Sequence, residues 1–263
     1  MTDLQPSPIL FHMDPHIFVA EVYRRMSLRS AQTPPLPPSR QRIDQVAKEY
    51  RHFLPGNKDA AILDVGFGDG WFMAACLNLG YTNISGADFA PETKPYLTEW
   101  NVNLHKIESE IGEFLAKHPN EYDFIHMSHV IEHIPKYSLL WIVDALYQAL
   151  KNNGTLFLRT PNMEGPCANS CYYVTLGHEY GFSGSNLKQL LWICGFDDVR
   201  LHAPPTPGTF RQQLGALVRW PFIQKSRIRN RLFGVNVGGQ FGTELIATGR
   251  RGDFQCLFDE KYR

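Results

Sequence analysis

Residues 62–72 of this 263-residue chain read Ile-Leu-Asp-Val-Gly-Phe-Gly-Asp-Gly-Trp-Phe. An apolar strand runs into Asp64, glycines alternate at 66, 68 and 70, and an apolar segment with helix-like spacing follows. Glycines this dense behind a strand let the backbone turn tightly and let a ligand lie against the main chain. The spacing excludes two familiar loops. A dinucleotide fingerprint needs Gly-x-Gly-x-x-Gly, and its third glycine would fall on Trp71. A phosphate loop needs Gly-Lys-Ser/Thr, which does not follow. The stretch therefore reads as a strand-to-helix turn around a small ligand, with an acid at the strand end.

Hydrophobic residues at 43% and charged residues at 20% fit a soluble globular protein. The length suffices for one large α/β domain with appendages. A formal net charge of zero leaves no global field to attract nucleic acid or acidic substrates. The five cysteines (76, 167, 171, 194 and 256) form no Cys-x-x-Cys pair, and reduced thiols in a cytoplasmic protein are expected. Cys167 and Cys171 are weakly spaced for a metal. The N-terminus lacks the basic start and apolar core of a signal peptide, and no run of about 18 apolar residues predicts a spanning helix.

Along the chain, a helix is expected around 16–29, then a stiff connector at Pro34, Pro35, Pro37 and Pro38, then a helix over about 40–54. Strands are predicted at 60–65, 83–88, 102–107, 122–128 and 154–160, with a last strand over Gln240–Arg250. Helices are predicted at 70–79, 91–100, 110–117, 137–151 and 184–194. Asn153-Gly154 reads as a helix stop and Ser183 as a helix N-cap. Such alternation implies a mostly parallel sheet with helices on both faces and ligands at the carboxyl ends of the strands. Asp64, Asp88 and Ser128 should then ring one crevice. The expected organisation is an N-terminal helical extension or lid over 1–54, the main domain over 55–251 with a basic insertion at 204–239, and a tail at 252–263.

The glycine loop with its preceding acid resembles motif I of class I S-adenosylmethionine-dependent methyltransferases, and the resemblance covers roughly 60–250. It implies an α/β fold with a doubly wound, mostly parallel seven-stranded sheet, and S-adenosylmethionine as cofactor. Asp64, Gly66, Gly68 and Gly70 would face its methionine part. Asp88, 20 residues beyond Gly68 and followed by Phe89, would accept both ribose hydroxyl protons. Read without the family, Asp88 and Glu110 could be acids complementing helix N-termini. Glu110-Ile111-Gly112-Glu113-Phe114-Leu115 is similar to the family's Asp-Ala-x-x-Phe-Leu segment, so Glu110 and Ile111 are adenine candidates, with Glu108 as an alternative. Met127 and Ser128 would close over the cofactor.

Residues 122–135 carry His129, Glu132 and His133, the fifth strand ends in Thr160-Pro-Asn162, and Gly177-His178-Glu-Tyr-Gly-Phe182 follows. This order is similar to the branch holding the ubiquinone-biosynthesis O-methyltransferases, many glycan methyltransferases and the small-RNA 2′-O-methyltransferases. At i, i+3 and i+4, His129, Glu132 and His133 would share one face of a helical turn. In the ubiquinone and small-RNA enzymes the matching positions hold Glu, Glu and His and bind a metal, and His178 resembles a further histidine of the small-RNA enzymes. Here His129 stands where the first Glu would be, which weakens the case for Mg²⁺ and leaves Mn²⁺, Fe²⁺ or Zn²⁺. Three readings stay open: the cluster braces the loop, one of His129, His133 and His178 is the general base, or His129, Glu132, His133 and His178 hold a divalent metal. Tyr172, Tyr173, Tyr180 and Phe182 are candidates for the acceptor pocket wall, and Asn162 for an amide contact to the acceptor.

Between Arg211 and Arg231 lie Arg219, Lys225, Arg227 and Arg229 with no acid, and Phe210, Leu214, Leu217 and Val218 fall on one helical face before Pro221, which should break or kink it. The segment is a solvated helix, a membrane-surface contact over 210–232 at the inner face, or an RNA contact for which no recognised RNA module is present. The resemblance favours an O-methyltransferase of a sugar hydroxyl in glycan or surface-polysaccharide synthesis, with a small-molecule or lipid-linked sugar as partner. The alternatives are small-RNA 2′-O-methylation, a quinone or natural-product acceptor, and a non-catalytic S-adenosylmethionine-binding protein.

Overall fold

The structure is a computed structural model and describes residues 36–90, 94–165, 168–203 and 242–252, with isolated positions at 21, 22, 218, 220, 221, 224, 225 and 228. Helix α1 (Arg40–Tyr50) is followed by β1 (Ile62–Val65), α2 (Trp71–Asn78), β2 (Ile84–Asp88), β3 (Asn103–Lys106), α3 (Ile111–Ala116), β4 (Tyr122–Ser128), α4 (Leu139–Ala149), β5 (Leu150–Pro161), α5 (Ala168–Tyr172), α6 (Gly184–Ile193), β6 (Phe196–His202) and β7 (Glu244–Arg251). The seven strands lie in the order β3-β2-β1-β4-β5-β7-β6, parallel except that β7 runs antiparallel to both β5 and β6.

Every residue of β1 is buried, as a central parallel strand covered on both faces requires. Alternation along the strands divides the core. Leu63, Val65, Ile125, Met127, Leu156 and Leu158 pack against α3, α4 and α6. Ile62, Phe124, Phe157 and Ile246 pack on the other face against Val46, Ala47 and Tyr50 of α1 and Phe72, Met73 and Cys76 of α2. Ser39 caps α1, and Ser183 caps α6 in a capping box with Asn186, as expected for Ser183.

Several expectations are corrected. The helix expected over 91–100 is a 3-10 turn at Pro95–Glu99 among the described residues. Asn153-Gly154 does not stop the helix: α4 ends at Ala149, and Asn153, at φ 63°, sits where β5 slips register against β4. Strand β6 was not expected, because its Asp197-Asp198 pair reads as loop; it is an edge strand with Asp198 at φ 48° beside a register shift. In the insertion, the isolated described positions Val218, Trp220, Pro221, Gln224, Lys225 and Ile228 are helical, and the break or kink expected at Pro221 falls among residues outside the described ones. The rest of the insertion, most of the 16–29 helix and the 252–263 tail beyond Gly252 lie outside the described residues, as do Cys167 and Cys256.

Candidate active site

The carboxyl ends of β1, β2 and β4 are adjacent, with Val65 in register with Ala87 on one side and Met127 on the other. Beyond them the chain turns at Gly66, Gly68 and Gly70, whose φ angles of 70°, 52° and 72° are left-handed. A Cβ on Gly66 would lie 2.4 Å from Val130, and one on Gly70 2.7 Å from Leu97. The loop is thus wedged between the segment after β4 and the Pro95–Glu99 turn, from which Tyr96 donates to the Asp69 carbonyl at 3.1 Å.

Asp88 ends β2 beside this loop. The Gly68 N–H donates to its Oδ2 and the Ala90 N–H to its Oδ1, each at 3.1 Å. Two carboxylate oxygens have about four acceptor directions, so two backbone bonds leave capacity for hydroxyl donors. Burial raises the Asp88 pKa, and the N–H groups of Ala90 and Gly68 partly offset it. Phe89 is half-buried against the main core. Glu110 stands in extended backbone at the N-cap of α3, and Ile111 is buried one residue on. Gly112 is required there by Trp141, which a Cβ would meet at 2.7 Å.

Asp64 departs from its expected place on the crevice wall. It is 2% exposed, and its Oδ1 accepts from His126 Nδ1–H at 2.7 Å, so it braces the floor of the loop. The other nitrogen of His126 pairs with the Tyr50 hydroxyl at 3.1 Å, and Tyr50 also hydrogen-bonds Ser128. Burial, and after it the Asp64 charge, push the Tyr50 phenol up, so it keeps its proton. The His126 ring stacks on Phe72 at 3.8 Å.

His129 is not on a helix. It follows β4 at φ 56°, and the next turn, Ile131–His133, is 3-10. Its Nδ1–H points to Glu132 Oε1 at 3.2 Å and its Nε2–H to Glu244 Oε1 at 2.9 Å. Burial alone would lower its pKa, but the two carboxylates override that and raise it to about 10. The same bond holds Glu244 below the ordinary carboxylate range. His129 thus lies between two carboxylates that favour its protonated form, and it is not part of the group of ligand atoms that come together at Glu132, His133 and His178.

The remaining three residues do assemble. Ligand atoms of Glu132, His133 and His178 all lie within 4.8 Å of one another. Glu132 is buried, with Oε2 accepting from Thr160 Oγ1 at 3.0 Å and Oε1 4.0 Å from His178 Nε2. His133 Nδ1 lies 2.7 Å from the Gly177 carbonyl and His178 Nδ1 2.7 Å from the Tyr172 carbonyl. A carbonyl can only accept, so each Nδ1 carries a proton, and the neutral tautomer this selects has its lone pair on Nε2. Backbone carbonyls that fix histidine tautomers in this way are the usual support of metal-ligating or proton-accepting imidazoles. Burial lowers the His133 pKa against the raising effect of Glu132.

Other candidates separate. Phe182 is core, at 1% exposure, and Tyr173 is exposed, which leaves Tyr172 and Tyr180 beside the cluster. The Asn162 amide is buried and stitches loops together: Nδ2 donates to the Gly242 carbonyl and Oδ1 accepts from Glu164 N–H, both at 2.9 Å. Sequence reasoning missed Tyr50, His126, Arg159 and Glu244, because their partners lie 76, 62 and 115 residues away or on another strand.

A methyltransferase-domain family model matches residues 39–201, more than half of the chain. Ubiquinone biosynthesis O-methyltransferase from Saccharophagus degradans is 31% identical over 122 residues, covering 45% of this chain and 50% of that protein. The enzyme of the same name from Klebsiella pneumoniae is 29% identical over 108 residues, 40% of this chain and 43% of its own length. The chain thus spans about half the length of these curated relatives. Among solved structures, a SAM-dependent methyltransferase from Archaeoglobus fulgidus superposes with TM-score 0.58 at 19% identity, covering 79% of this chain and 94% of that one. The 1,6-didemethyltoxoflavin-N1-methyltransferase of Burkholderia thailandensis superposes with TM-score 0.55 at 17% identity, covering 92% of each chain. The glycine loop, the Asp88 strand end, the strand order and the family match lead to one conclusion: this chain belongs to the class I S-adenosylmethionine-dependent methyltransferases.

Proposed function

We propose that the chain is an S-adenosylmethionine-dependent O-methyltransferase acting on a sugar hydroxyl in glycan or surface-polysaccharide synthesis. The observation that carries the O-transfer reading is the histidine pair, His133 and His178, with both Nδ1–H groups held by backbone carbonyls beside a buried Glu132. The sulfonium already makes the methyl group electrophilic. What the protein must add is alignment, exclusion of water and an acceptor for the hydroxyl proton. Asp88 takes the ribose hydroxyls, and the left-handed turn at Gly66–Gly70 lets the cofactor lie against the main chain. His133, kept neutral by burial, takes the proton on Nε2, and the Glu132 charge stabilises the imidazolium that forms. His129 is already protonated, so it serves as a fixed counter-charge to Glu132 and Glu244.

The donor set also fits a divalent cation. Glu132, His133 and His178 would hold it, and two imidazoles with one carboxylate suit Mn²⁺, Fe²⁺ or Zn²⁺ better than Mg²⁺. A bound cation would supply acidification of the acceptor hydroxyl. Support for a membrane-linked glycan acceptor is the basic insertion, whose described positions include exposed Val218, Trp220 and Ile228 beside Lys225. A second reading, a phenolic hydroxyl of a quinone precursor, is favoured by the names of the curated relatives.

The test is methyl transfer from isotopically labelled S-adenosylmethionine to three acceptor panels: nucleotide sugars with lipid-linked oligosaccharides, catechols, and short RNA. Label on a sugar hydroxyl is expected. Label on the catechols alone would move the assignment to the second reading, and label on RNA alone would overturn both.

A further inference from the structure

Two polar chains leave opposite sides of the candidate site and end on neighbouring residues of α1. The first begins at the floor of the glycine loop: Asp64 Oδ1 to His126 Nδ1 at 2.7 Å, then His126 Nε2 to the Tyr50 hydroxyl at 3.1 Å. The second begins at the acceptor side. Glu132 Oε1 meets His129 at 3.2 Å, His129 meets Glu244 at 2.9 Å, Glu244 Oε2 lies 3.7 Å from Arg159 Nε, and Arg159 Nη2 pairs with Glu49. The Arg159 guanidinium also lies over the Tyr50 ring, 5.4 Å from its centroid, and so joins the two chains where they converge.

These links are not surface ornaments. Asp64, His126 and Tyr50 are all buried, and Arg159 and Glu49 side chains are only 13% and 16% exposed. A buried polar group costs free energy unless it is partnered. The Asp64–His126–Tyr50 links meet that demand, whereas the second chain passes through the half-exposed His129 and relies on charge rather than a hydrogen bond at Arg159 Nε, so it is the looser of the two. Helix α1 is not merely a cover on the sheet. It supplies a partner to both chains, Tyr50 to the first and Glu49 to the second.

We propose that Glu49 and Tyr50 are positioning residues of the transferase: Tyr50 sets Asp64 under the cofactor loop through His126, and Glu49 sets the His129–Glu132 pair through Arg159 and Glu244. The proposal rests on the crevice being the cofactor site and on Glu132 belonging to the reaction centre. Neither residue touches cofactor or acceptor, so each acts through the groups it holds.

The test uses the full chain, S-adenosylhomocysteine as probe, and two near-isosteric variants, Tyr50→Phe and Glu49→Gln. Calorimetry reads cofactor-product affinity, and ¹⁵N-resolved imidazole spectra read the His126 and His129 rings. Tyr50→Phe should move the His126 ring nitrogens and weaken affinity about five-fold, the worth of one net hydrogen bond, while leaving the His129 signals in place. Glu49→Gln should move the His129 signals and leave affinity within about two-fold. A merely structural role would lower the melting temperature and leave each ring's resonances where the wild type has them, and that result would overturn the proposal. Unchanged affinity in Tyr50→Phe would overturn its first half, provided Asp88→Ala weakens binding. Were Asp88→Ala also silent, the cofactor-site reading would be the one that failed, and the two imidazole spectra would still decide the positioning. Should Glu49→Gln fold poorly, Arg159→Lys reads the same chain through the same His129 signals.

Discussion

At the scale of single residues, two histidines four positions apart, His129 and His133, are pushed in opposite directions by their neighbours. His129 faces two carboxylates and is held protonated to about pH 10, whereas burial lowers the His133 pKa and the Gly177 carbonyl fixes its Nδ1–H. The account therefore predicts that His133→Ala slows methyl transfer by roughly 10²–10⁴-fold, the range for losing a general base, in a single-turnover assay. His129→Gln should cost far less, since it removes a counter-charge and no proton acceptor. Equal losses in the two variants would contradict the assignment. The rate with wild-type protein should hold steady down to pH values below the ordinary imidazole range and then fall, because the basic form of His133 persists there. At the same scale, the acid pair that names a cofactor site was readable from spacing alone for Asp88. Asp64 was readable as important and not as buried, since its partner His126 is 62 residues away and no local pattern marks it.

At the scale of elements, the strand–loop–helix unit of β1 and α2 depends on backbone conformation that side chains oppose. Gly66→Ala and Gly68→Ala both force a left-handed residue, at about 1–2 kcal/mol each. Only the first also drives a Cβ into Val130; nothing stands within 4 Å of a Cβ on Gly68. Denaturant unfolding should therefore find Gly66→Ala the more destabilised of the two, and equal losses would show that the Val130 contact does not matter. Most of these elements were legible because each repeats a simple signal: apolar runs for strands buried on both faces, helical spacing for α2, α4 and α6, Ser183 before α6. The exceptions have physical causes. Strand β6 lies at a sheet edge, where one row of backbone groups faces outward and acidic residues such as Asp197 and Asp198 are tolerated, so its sequence imitates a loop. The turn at Asn153 imitates a helix stop because left-handed Asn serves equally at a helix end and at a strand irregularity. The helical turn expected for His129, Glu132 and His133 failed because β4 hands over to a left-handed residue before any helix can start.

At the scale of the whole molecule, the end of β4 is tied across the sheet to the start of β7, the strand that follows the basic insertion, through His129 and Glu244. The sign of its pH dependence is set. His129 is raised in the folded state, so its contribution is complete below an unfolded value near about 6.5 and is lost as pH rises toward about 10. Glu244 is lowered, so its contribution is present above the unfolded carboxylate range and is lost on acidification. Thermal unfolding should thus show a decline in stability between neutral pH and about 10 that His129→Gln removes; the ring is 46% exposed, so solvent screening keeps the effect small. An identical pH profile in the variant would show that the clamp contributes nothing. The family and the crevice could be foreseen from the first glycine loop, and the acceptor could not, because the residues that would choose it come from segments far apart in the chain. The central claim is that the crevice above β1, β2 and β4 binds S-adenosylmethionine through Asp88, and calorimetric titration of wild type and Asp88→Ala with that cofactor tests it most directly. The account predicts affinity weakened by roughly 1.5–3 kcal/mol in the variant, the loss of charge-assisted hydrogen bonds, and an affinity unchanged by the substitution would contradict it.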